Sequence, residues 1–451
     1  MIRVDRQALA ALHEREAARF LATHARSAAL AAEDAQHFLF GVPLHWMRDW
    51  PTPAVLHVER AQGNRLCCAD GHEYLDFCLG DTGAMFGHSP APVARAIAGQ
   101  AARGLTAMLP STLTAEVGRR LAHCFRLPRW QITLSASDAN RFVLRWARAI
   151  TGRPRVLVFD GCYHGTVDDT LVDMDPQQRT LTRASLLGQL HDLALGTVVV
   201  PFNDIAAVER ALARGDVACV LTEPALTNCG LVPPLPGFLA QLQRACRAHG
   251  SLLVLDETHT VSSGWGGHAR VEGLEPDFMV IGKAIAGGLP CAVYGFSEAM
   301  NERMEAAKRA APEGHSGIGT TLAANLLAIA ALHANLGEVM TPANYERMLA
   351  TAAAIEARLR ETLQHAGVPW SVTRLGARME LQFCASPPHD AAQARAAMDD
   401  EVERALHLWL LNRGIVITPF HNMLLVSPHT QAADAEPLAQ ALAGFIAELR
   451  A

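Results

Sequence analysis

The sequence lacks any apolar run long enough to cross a membrane, because its longest runs fall far below the ~20 residues that a spanning helix needs. Residues 1–26 carry charges of both signs every few positions and have no apolar stretch typical of secretory signal peptides. There is also no internal repeat and no low-complexity segment beyond a general richness in alanine. We therefore expect a cytoplasmic, globular protein that makes no contact with a membrane.

Patterns typical of disulfide frameworks and metal sites are also missing. None of the ten cysteines forms a C-x-x-C pair, and none of the twenty histidines belongs to an H-E-x-x-H motif. These absences argue against a disulfide-stapled scaffold and a zinc ribbon, and we expect no bound metal. The formal net charge of −6 predicts no affinity for nucleic acid.

The residues that are present are those of a large globular chain. Of its 451 residues 50% are apolar and 19% are charged, enough to build two or three lobes around a sizeable core. Short apolar runs alternate with helical stretches such as Phe238–His249. The pattern predicts an α/β domain with a mostly parallel sheet. Its predicted strands are Ile132–Leu134, Val156–Phe159, Val198–Phe202, Cys219–Thr222, Leu252–Leu255 and Phe278–Ile281.

The ends of the chain show a different pattern, which predicts a smaller α+β region. We expect an N-terminal helix and meander over residues 1–75 as part of a small lobe, a large ligand-binding domain over 76–336, and an α+β domain over 337–451. The predicted helices here are Arg6–Ala32, Leu322–Leu336, Tyr345–Ala366, Ala392–Arg413 and Ala433–Leu449. The predicted strands are a meander within Val55–Phe77, then Val372–Leu375, Arg378–Phe383, Val416–Thr418 and Met423–Val426.

Two neighbouring buried strands each end on an ionisable residue, Asp256 and Lys283. Because ligands bind beyond the carboxyl ends of parallel strands, both side chains should project into one crevice. A lysine there is a candidate nucleophile, because its amine is able to attack a carbonyl carbon. An amine and an acid suit pyridoxal phosphate, whose aldehyde joins a lysine and whose ring nitrogen needs a carboxylate. The alternative is a buried ion pair that holds two strands together.

Three further strand ends carry polar or aromatic residues. Ala136 and Ser137 open a helix, where free N–H groups bind anions, although ordinary N-capping by serine is far commoner. Tyr163 is able to stack on a flat ring or to sit in a core. Glu223 and Asn228 are able to orient neighbours and donate to a phenolate, or to serve a turn. Together with Asp256 and Lys283, these residues predict one site at the sheet edge.

At this point the chain resembles the class III, fold-type I pyridoxal-phosphate aminotransferases, from about Gly41 to Leu449. The similarity rests on short motifs that match the family pattern by residue type and order. These motifs are Ser135-Ala-Ser-Asp-Ala139, Gly161-Cys-Tyr-His-Gly165, Glu223-Pro-Ala-Leu-Thr-Asn228, Asp256-Glu257, Gly282-Lys-Ala-Ile-Ala-Gly-Gly-Leu-Pro290 and Gly319-Thr-Thr321.

The resemblance implies a role for each matching residue. It makes Lys283 the Schiff-base lysine and places Asp256 at the pyridine nitrogen. The ring would lie between Tyr163 and Thr258, and Asn228 would meet the ring oxygen beside Glu223. Backbone and hydroxyl groups of Ala136 and Ser137 would bind the phosphate, which Thr321 would reach from the opposite subunit. The resemblance thus implies a homodimer with shared active sites.

Some positions depart from the family pattern and bear on the substrate. Thr258 replaces a valine, and its hydroxyl needs a partner. Arg48 matches a substrate-binding arginine only approximately, and Arg374 and Arg378 are further candidates. No arginine stands near Phe420, where β-amino-acid aminotransferases carry one. The aromatic residues fit an apolar or aromatic amine better than a dicarboxylate; the predicted substrate residues are Arg48, Trp46, Trp265 and Phe420.

The sequence therefore predicts an aminotransferase that moves an amino group between an amine or amino acid and a keto acid. The nearest groups by motif are the glutamate-1-semialdehyde aminomutases and the β-amino-acid aminotransferases. An aminomutase, a racemase or a decarboxylase would use the same cofactor residues on one substrate. A ligand-binding relative without chemistry is disfavoured because Lys283 and Asp256 are both present.

Overall fold

Residues 4–450 are described by a computed structural model, in which the chain forms two compact units. The first unit comprises Met1–Pro90, Asn344–Pro387 and Ala396–Ala451. The second unit comprises Ala91–Ala343 and Pro388–Arg395. The predicted domain boundaries, after residues 75 and 336, precede the changes from one unit to the other at 90 and 343.

The strands, in chain order, are β1 Val58–Gln62, β2 Arg65–Cys68, β3 Glu73–Asp76, β4 Arg129–Thr133, β5 Arg155–Phe159, β6 Val172–Met174, β7 Thr180–Thr182, β8 Thr197–Val200, β9 Val217–Thr222, β10 Leu252–Asp256, β11 Phe278–Ile281, β12 Ala292–Phe296, β13 Ser371–Leu375, β14 Arg378–Gln382, β15 Ile415–Val416 and β16 Met423–Leu425. The α-helices are α1 Arg6–Thr23, α2 Ala25–Asp34, α3 Ala91–Ala101, α4 Thr114–Phe125, α5 Ala136–Thr151, α6 Ile205–Leu212, α7 Phe238–His249, α8 Gly267–Glu272, α9 Glu298–Ala310, α10 Leu326–Ala334, α11 Pro342–Ala366, α12 Ala391–Ala396, α13 Asp400–Leu411 and α14 Ala435–Glu448.

The second unit is built on a seven-stranded sheet with the order β4-β12-β11-β10-β9-β5-β8. Strands β8, β5, β9, β10 and β11 are parallel, and every residue of β9, β10 and β11 is buried. Continuous apolar runs form such strands because helices cover both faces of a parallel sheet. The predicted α/β class with a mostly parallel sheet is confirmed.

One strand of this sheet, β12, was not predicted and runs against its neighbours. It pairs antiparallel with both β11 and β4, so β4 runs in the same direction as β11. The short antiparallel pair of β6 and β7 was also missed. Strands as short as β6 and β7 give too little periodicity to separate them from loops.

The first unit contains two small sheets. Strands β1, β2 and β3 form the predicted antiparallel meander, and β15 joins it in parallel with β3. Strands β13, β14 and β16 form an antiparallel sheet. The smaller α+β pattern is therefore confirmed, although the strand predicted at Val416–Thr418 begins and ends earlier, at Ile415–Val416.

Two long predicted helices are wrong, because each is broken into two. Arg6–Ala32 breaks at His24, whose backbone leaves the helical region and whose buried ring contacts the Tyr74 hydroxyl at 2.6 Å. Ala392–Arg413 breaks before Asp399, which caps α13 by accepting from the Val402 N–H. At the first break the His24 Nδ1 lies 2.9 Å from the Phe20 carbonyl at the end of α1, so at both breaks a polar side chain meets a backbone group at a helix end.

The helix predicted to begin at Leu322 begins at Leu326 instead. Asn325 caps it by accepting a hydrogen bond from the Ala328 N–H, and a π-helical turn follows at Asn335–Val339. Among residues 4–450, no single helix is both long and apolar enough to span a bilayer. The bent pair Leu326–Val339 and Pro342–Ala366 passes that test only when its two helices are taken together.

Candidate active site

The strand order of the second unit brings the predicted motifs to one sheet edge. Asp256 ends β10, and three further residues follow its consecutive neighbours β11, β9 and β5: Lys283, Glu223 and Tyr163. The segment that opens α5 follows β4, which runs in the same direction. The carboxyl ends of parallel strands meet at one edge, so these segments form a common rim.

Asp256 is the buried carboxylate of this rim, with only 4% of its surface exposed. Its Oδ2 accepts hydrogen bonds from Asn140 Nδ2 at 2.8 Å and His164 Nδ1 at 3.0 Å, and its Oδ1 accepts one from the Thr258 N–H. Burial works in the opposite direction, but hydrogen bonds from His164, Thr258 and Asn140 hold the pKa of Asp256 below its usual range. The carboxylate is therefore kept as an anion.

His164 and Asn140 were missed as site residues. Burial opposes the charge on His164, but Cys162 and Asp256 raise the pKa of His164 to about 10, which keeps the imidazole protonated. Asn140 bridges the His164 carbonyl and Asp256 from the first turns of α5. A signal for His164 was present in the Gly161–Gly165 motif, but its direction toward Asp256 depends on the tertiary structure.

Lys283 begins a short 3₁₀ turn directly after Gly282 and has a positive φ of 46°. Non-glycine residues adopt that conformation rarely, and it is common at functional sites. The Lys283 Nζ lies 2.8 Å from Nε2 of His259, a buried residue of the loop after β10. His259 was also missed, because one histidine in a loop carries no pattern.

The start of α5 lies close to the lysine loop. A Cβ added to Gly282 would come within 2.8 Å of the Ala136 Cβ and 3.5 Å of the Thr258 methyl group, so these three residues nearly touch. Ser135 caps the helix by accepting from the Asp138 N–H, which leaves the Ala136 and Ser137 N–H groups without an intrahelical acceptor. N–H groups in this position, at the positive end of a helix, are suited to binding an anion.

Ser137 is also joined to the loop after β5. Its Oγ accepts a hydrogen bond from the Thr166 N–H at 3.0 Å. The space beside it is filled, because a Cβ added to Gly165 would overlap this hydroxyl, and Gly165 has a positive φ of 80°. The structure thus brings Ser137 and the Gly161–Gly165 loop together.

Glu223, Thr227 and Asn228 form a linked group after β9. Glu223 accepts from the Tyr163 N–H at 3.3 Å and from the Thr227 hydroxyl, which in turn accepts from Asn228 Nδ2 at 3.2 Å. Burial raises the pKa of Glu223 to about 7. Tyr163 itself keeps 40% of its surface exposed, as a residue that covers a ligand would.

The departure from the family pattern at Thr258 leaves a buried polar atom. The Thr258 hydroxyl is buried and has no hydrogen-bond partner among residues 4–450. Its neighbour Glu257 has a structural role instead: it accepts from the His268 and Ala269 N–H groups at the start of α8. Burying this hydroxyl without a hydrogen-bond partner costs free energy. A polar ligand bound beside it would remove that cost.

The predicted substrate residues belong to different units. Trp46, Arg48 and Phe420 lie in the first unit, where the Trp46 and Phe420 rings meet edge to face with centroids 6.2 Å apart. All three are exposed. Thr321 of the second unit is exposed as well. Their roles stay predictions.

Trp265 of the second unit is held by its own neighbours. Its indole N–H donates to the Met340 carbonyl at 3.1 Å, the Arg270 guanidinium lies 4.1 Å over the ring, and His123 packs against its edge. These contacts stabilise the local fold, and a role in binding substrate stays a prediction.

The two other candidate arginines are engaged inside the first unit. Arg374 Nε donates to Glu356 at 2.5 Å, and its Nη1 donates to the Gly376 carbonyl. Arg378 is buried and donates to the Thr82 hydroxyl. Arg48 is therefore the one of the three whose side chain is exposed.

The donor set of the rim suits one kind of ligand. A buried carboxylate held as an anion suits a cationic ring N–H, and the start of α5 suits a phosphate. The Cβ positions excluded at Gly165 and Gly282 show that the loops around these groups are closely packed, and the Thr258 hydroxyl offers a polar partner. An amine lies at the end of the neighbouring strand. These are the requirements of pyridoxal phosphate.

The chain belongs to the class-III aminotransferase family, which it matches over residues 47–446. It is 34% identical over 399 residues to the glutamate-1-semialdehyde 2,1-aminomutase of Anaeromyxobacter sp. (strain Fw109-5), covering 86% of this chain and 90% of that protein. It is 36% identical over 369 residues to the enzyme of the same name from Sorangium cellulosum (strain So ce56), covering 81% and 82%.

Solved structures support the same assignment. A glutamate-1-semialdehyde aminomutase from Pseudomonas aeruginosa PAO1 is 48% identical and superposes with a TM-score of 0.96, covering 99% of both chains. The omega-transaminase of Sphaerobacter thermophilus is 27% identical with a TM-score of 0.85, covering 94% and 98%. The beta-phenylalanine aminotransferase of Variovorax paradoxus is 27% identical with a TM-score of 0.84, covering 98% and 97%.

These similarities establish the fold and the cofactor. The chain has the fold-type I architecture and uses pyridoxal 5′-phosphate. A lysine-to-alanine variant of the Pseudomonas enzyme was solved in complex with PMP. The chain is therefore a pyridoxal-phosphate-dependent enzyme of the class III family.

Proposed function

We propose that this enzyme is an aminomutase of the glutamate-1-semialdehyde type, which moves an amino group between two carbons of one substrate. The observation that carries the chemistry is the buried Asp256 anion at the end of the strand next to Lys283. The choice of reaction is supported by the relatives named above, at 34–48% identity. The sequence by itself favoured an aminotransferase that acts on two substrates. The similarity to aminomutases is the reason that we propose the aminomutase instead.

We propose the following division of roles. Lys283 provides the amine that joins the cofactor, and Asp256 holds the ring nitrogen. Tyr163 and Thr258 lie on the two faces of the ring. Asn228, linked to Glu223 through Thr227, binds the ring oxygen. The phosphate is bound at the start of α5 by Ala136 and Ser137, together with Thr321 from the second subunit of a homodimer.

The cofactor supplies an electron sink that stabilises a carbanion next to nitrogen, provided that its ring nitrogen stays protonated. Asp256 keeps that proton in place because its own pKa is held low and its oxygens are aimed by Asn140 and His164. The Lys283 amine would take the proton from the substrate carbon that bears nitrogen and give it to the cofactor's aldehyde carbon, and it would move a proton in the reverse sense at the second substrate carbon when the amino group is attached there.

A second candidate is an aminotransferase with separate amino donor and keto acceptor. The exposed edge-to-face pair of Trp46 and Phe420 in the first unit supports it, because such a pair suits an apolar or aromatic substrate better than a carboxylate-rich one. Arg48 is then the proposed partner for a substrate carboxylate, and Trp265 a further aromatic contact. The similarity to two transaminases at 27% identity agrees with this candidate.

The two candidates differ in their need for a second substrate. The holoenzyme is incubated with glutamate-1-semialdehyde and, separately, with a panel of aromatic and β-amino acids, each with and without a keto acid. An aminomutase converts the first substrate without a keto acid, with product identified by chromatography and mass. Turnover that requires a keto acid contradicts the aminomutase and supports the aminotransferase, whereas release of carbon dioxide or simple inversion contradicts both.

The homodimer is a separate proposal that rests on Thr321. An exposed threonine in the Gly319–Thr321 segment has the position expected of a residue that serves another subunit's phosphate. Sizing chromatography of the holoenzyme checks the assembly. Mixing a Thr321→Ala chain with a Lys283→Ala chain should restore activity in part, because one mixed dimer site carries both intact residues. A strictly monomeric, active enzyme would contradict the proposal.

A further inference from the structure

His259 contacts the Lys283 amine, and no sequence motif explains this contact. Its Nε2 lies 2.8 Å from Nζ, and only 5% of its surface is exposed. The backbone of His259 is held in place, because its carbonyl accepts from the Ser262 N–H at 3.2 Å and the Ser262 hydroxyl at 2.8 Å. The imidazole therefore occupies a defined position at the rim.

The backbone of the lysine loop is fixed as well. Asn335, a buried residue, donates from Nδ2 to the Ala284 carbonyl at 3.0 Å and the Ile285 carbonyl at 2.8 Å. The Lys283 side chain still has a flexible four-carbon stem, whose rotamer freedom opposes a fixed position of the amine. A hydrogen bond at its tip restricts that freedom where backbone contacts cannot.

The carboxylates of the preceding segment have other partners. Asp256 accepts from Asn140, His164 and the Thr258 N–H, and Glu257 accepts from N–H groups at the start of α8. In the loop after β10, His259 places its Nε2 at hydrogen-bond distance from the Lys283 amine.

We infer that His259 is a positioning residue for Lys283, an inference that rests on the proposed role of that lysine. Nζ donates a hydrogen bond to Nε2 whenever the amine is not joined to the cofactor, and the ring proton of His259 then sits on Nδ1. The amine is held ready to form a C=N bond to the cofactor's aldehyde carbon, with loss of one water. His259 neither gains nor loses a proton overall.

The composition of the chain makes this inference easy to test. Lys283 and Lys308 are the only lysines in the sequence, and Lys308 is exposed on α9. Any covalent attachment of the cofactor to a lysine, trapped with borohydride, is therefore assigned by mass spectrometry to one of two peptides. Lys308 serves as the internal reference.

The test compares covalent closure with non-covalent binding. Full-length protein freed of cofactor is mixed with pyridoxal phosphate, quenched with borohydride at successive times, and analysed for the Lys283 adduct. His259→Leu should slow adduct formation at least about 10-fold, because the amine loses its fixed approach to the aldehyde. His259→Gln, whose amide oxygen also accepts a hydrogen bond, should recover most of the rate. The affinity for PMP, which forms no lysine bond, should stay within about twofold in both variants.

A control variant and two contrary outcomes separate the inference about His259 from the proposed function. His365→Gln, an exposed position on α11, should leave the rate unchanged. If His259→Leu forms the Lys283 adduct at the wild-type rate, the inference about His259 is overturned. The proposed function is not affected by that result, because the cofactor still joins Lys283. No adduct on Lys283 in the wild-type protein overturns the proposed function itself. If His259→Leu loses its circular dichroism spectrum, His259→Asn, too short to reach Nζ, replaces it and should show the same slow closure.

Discussion

The Nδ1 atom of His164 lies 3.0 Å from Oδ2 of Asp256, and at most 4% of either side chain is exposed. A buried carboxylate alone would become neutral, and so would a buried imidazole alone. Together they stay charged, and Asn140 adds a second donor to the same oxygen. The site therefore holds an Asp256 carboxylate that is balanced by the His164 imidazolium and already oriented before any ligand binds.

This pair predicts how stability depends on pH. The pKa of His164 is raised to about 10, whereas an unfolded histidine titrates near ~6.5. The stabilisation is therefore complete below about pH 6.5 and is lost as the pH rises through about 10. The contribution of Asp256, whose pKa is lowered, is lost only under acid conditions and does not change in this window.

The measurement is the melting temperature of wild type and His164→Gln from pH 6.5 to 10. Glutamine keeps a donor to Asp256 but carries no charge. The melting temperature of the variant should therefore fall less than that of wild type as the pH rises. His191→Gln, an exposed position, is the matched control. Parallel curves for wild type and His164→Gln would contradict the charged state of His164.

Asp256→Asn should reduce turnover by about 10²–10⁴-fold, because an amide does not hold a proton on the ring nitrogen of the cofactor. Cofactor content should fall much less, since Lys283 and the start of α5 are untouched. Steady-state kinetics and absorbance of the bound cofactor measure the two effects separately. Asp204→Asn, a substitution at the N-cap of α6 where asparagine caps equally well, should leave both values unchanged.

The cofactor should be attached to Lys283 and never to Lys308. After borohydride reduction of the holoenzyme, the modified peptide should contain Lys283 alone, and Lys283→Ala should abolish both the adduct and turnover. Lys308→Arg should retain full activity, because Lys308 is exposed on α9. A stable adduct in Lys283→Ala would show that the assignment of the amine is wrong.

Gly282→Ala should disturb the lysine loop by steric overlap, since the new Cβ would lie 2.8 Å from the Ala136 Cβ. Overpacking of this kind costs about 1–3 kcal/mol of stability, and it should also lower cofactor affinity by moving Lys283 away from α5. Urea denaturation and cofactor titration measure these effects.

Gly99→Ala is the matched control for that experiment. Gly99 lies in α3 with no atom within 4 Å of the added Cβ, so the protein should be unchanged or stabilised by up to about 1 kcal/mol. Equal behaviour of Gly282→Ala and Gly99→Ala would mean that the lysine loop does not need its close approach to α5.

The strands of the large sheet could be predicted because they are runs of apolar residues between turns. Val217–Thr222 and Leu252–Asp256 are buried at every position, which gives a signal that each segment carries alone. The helices predicted at Arg6–Ala32 and Ala392–Arg413 were too long. The apolar periodicity continues through each break, because the break is caused by a single polar side chain. The antiparallel strand β12 was not predicted, and its pairing with β4 and β11 depends on the order of strands in the sheet.

Local pattern by itself determined the fold class, the parallel strands and the two residues Asp256 and Lys283, because apolar runs and the residues that end them are properties of a short segment. Only the tertiary structure decided that Asn140 and His164 donate hydrogen bonds to Asp256, and that His259 contacts Lys283. Hydrogen bonds between residues distant in the chain depend on the order of strands and the packing of loops, which no single segment encodes.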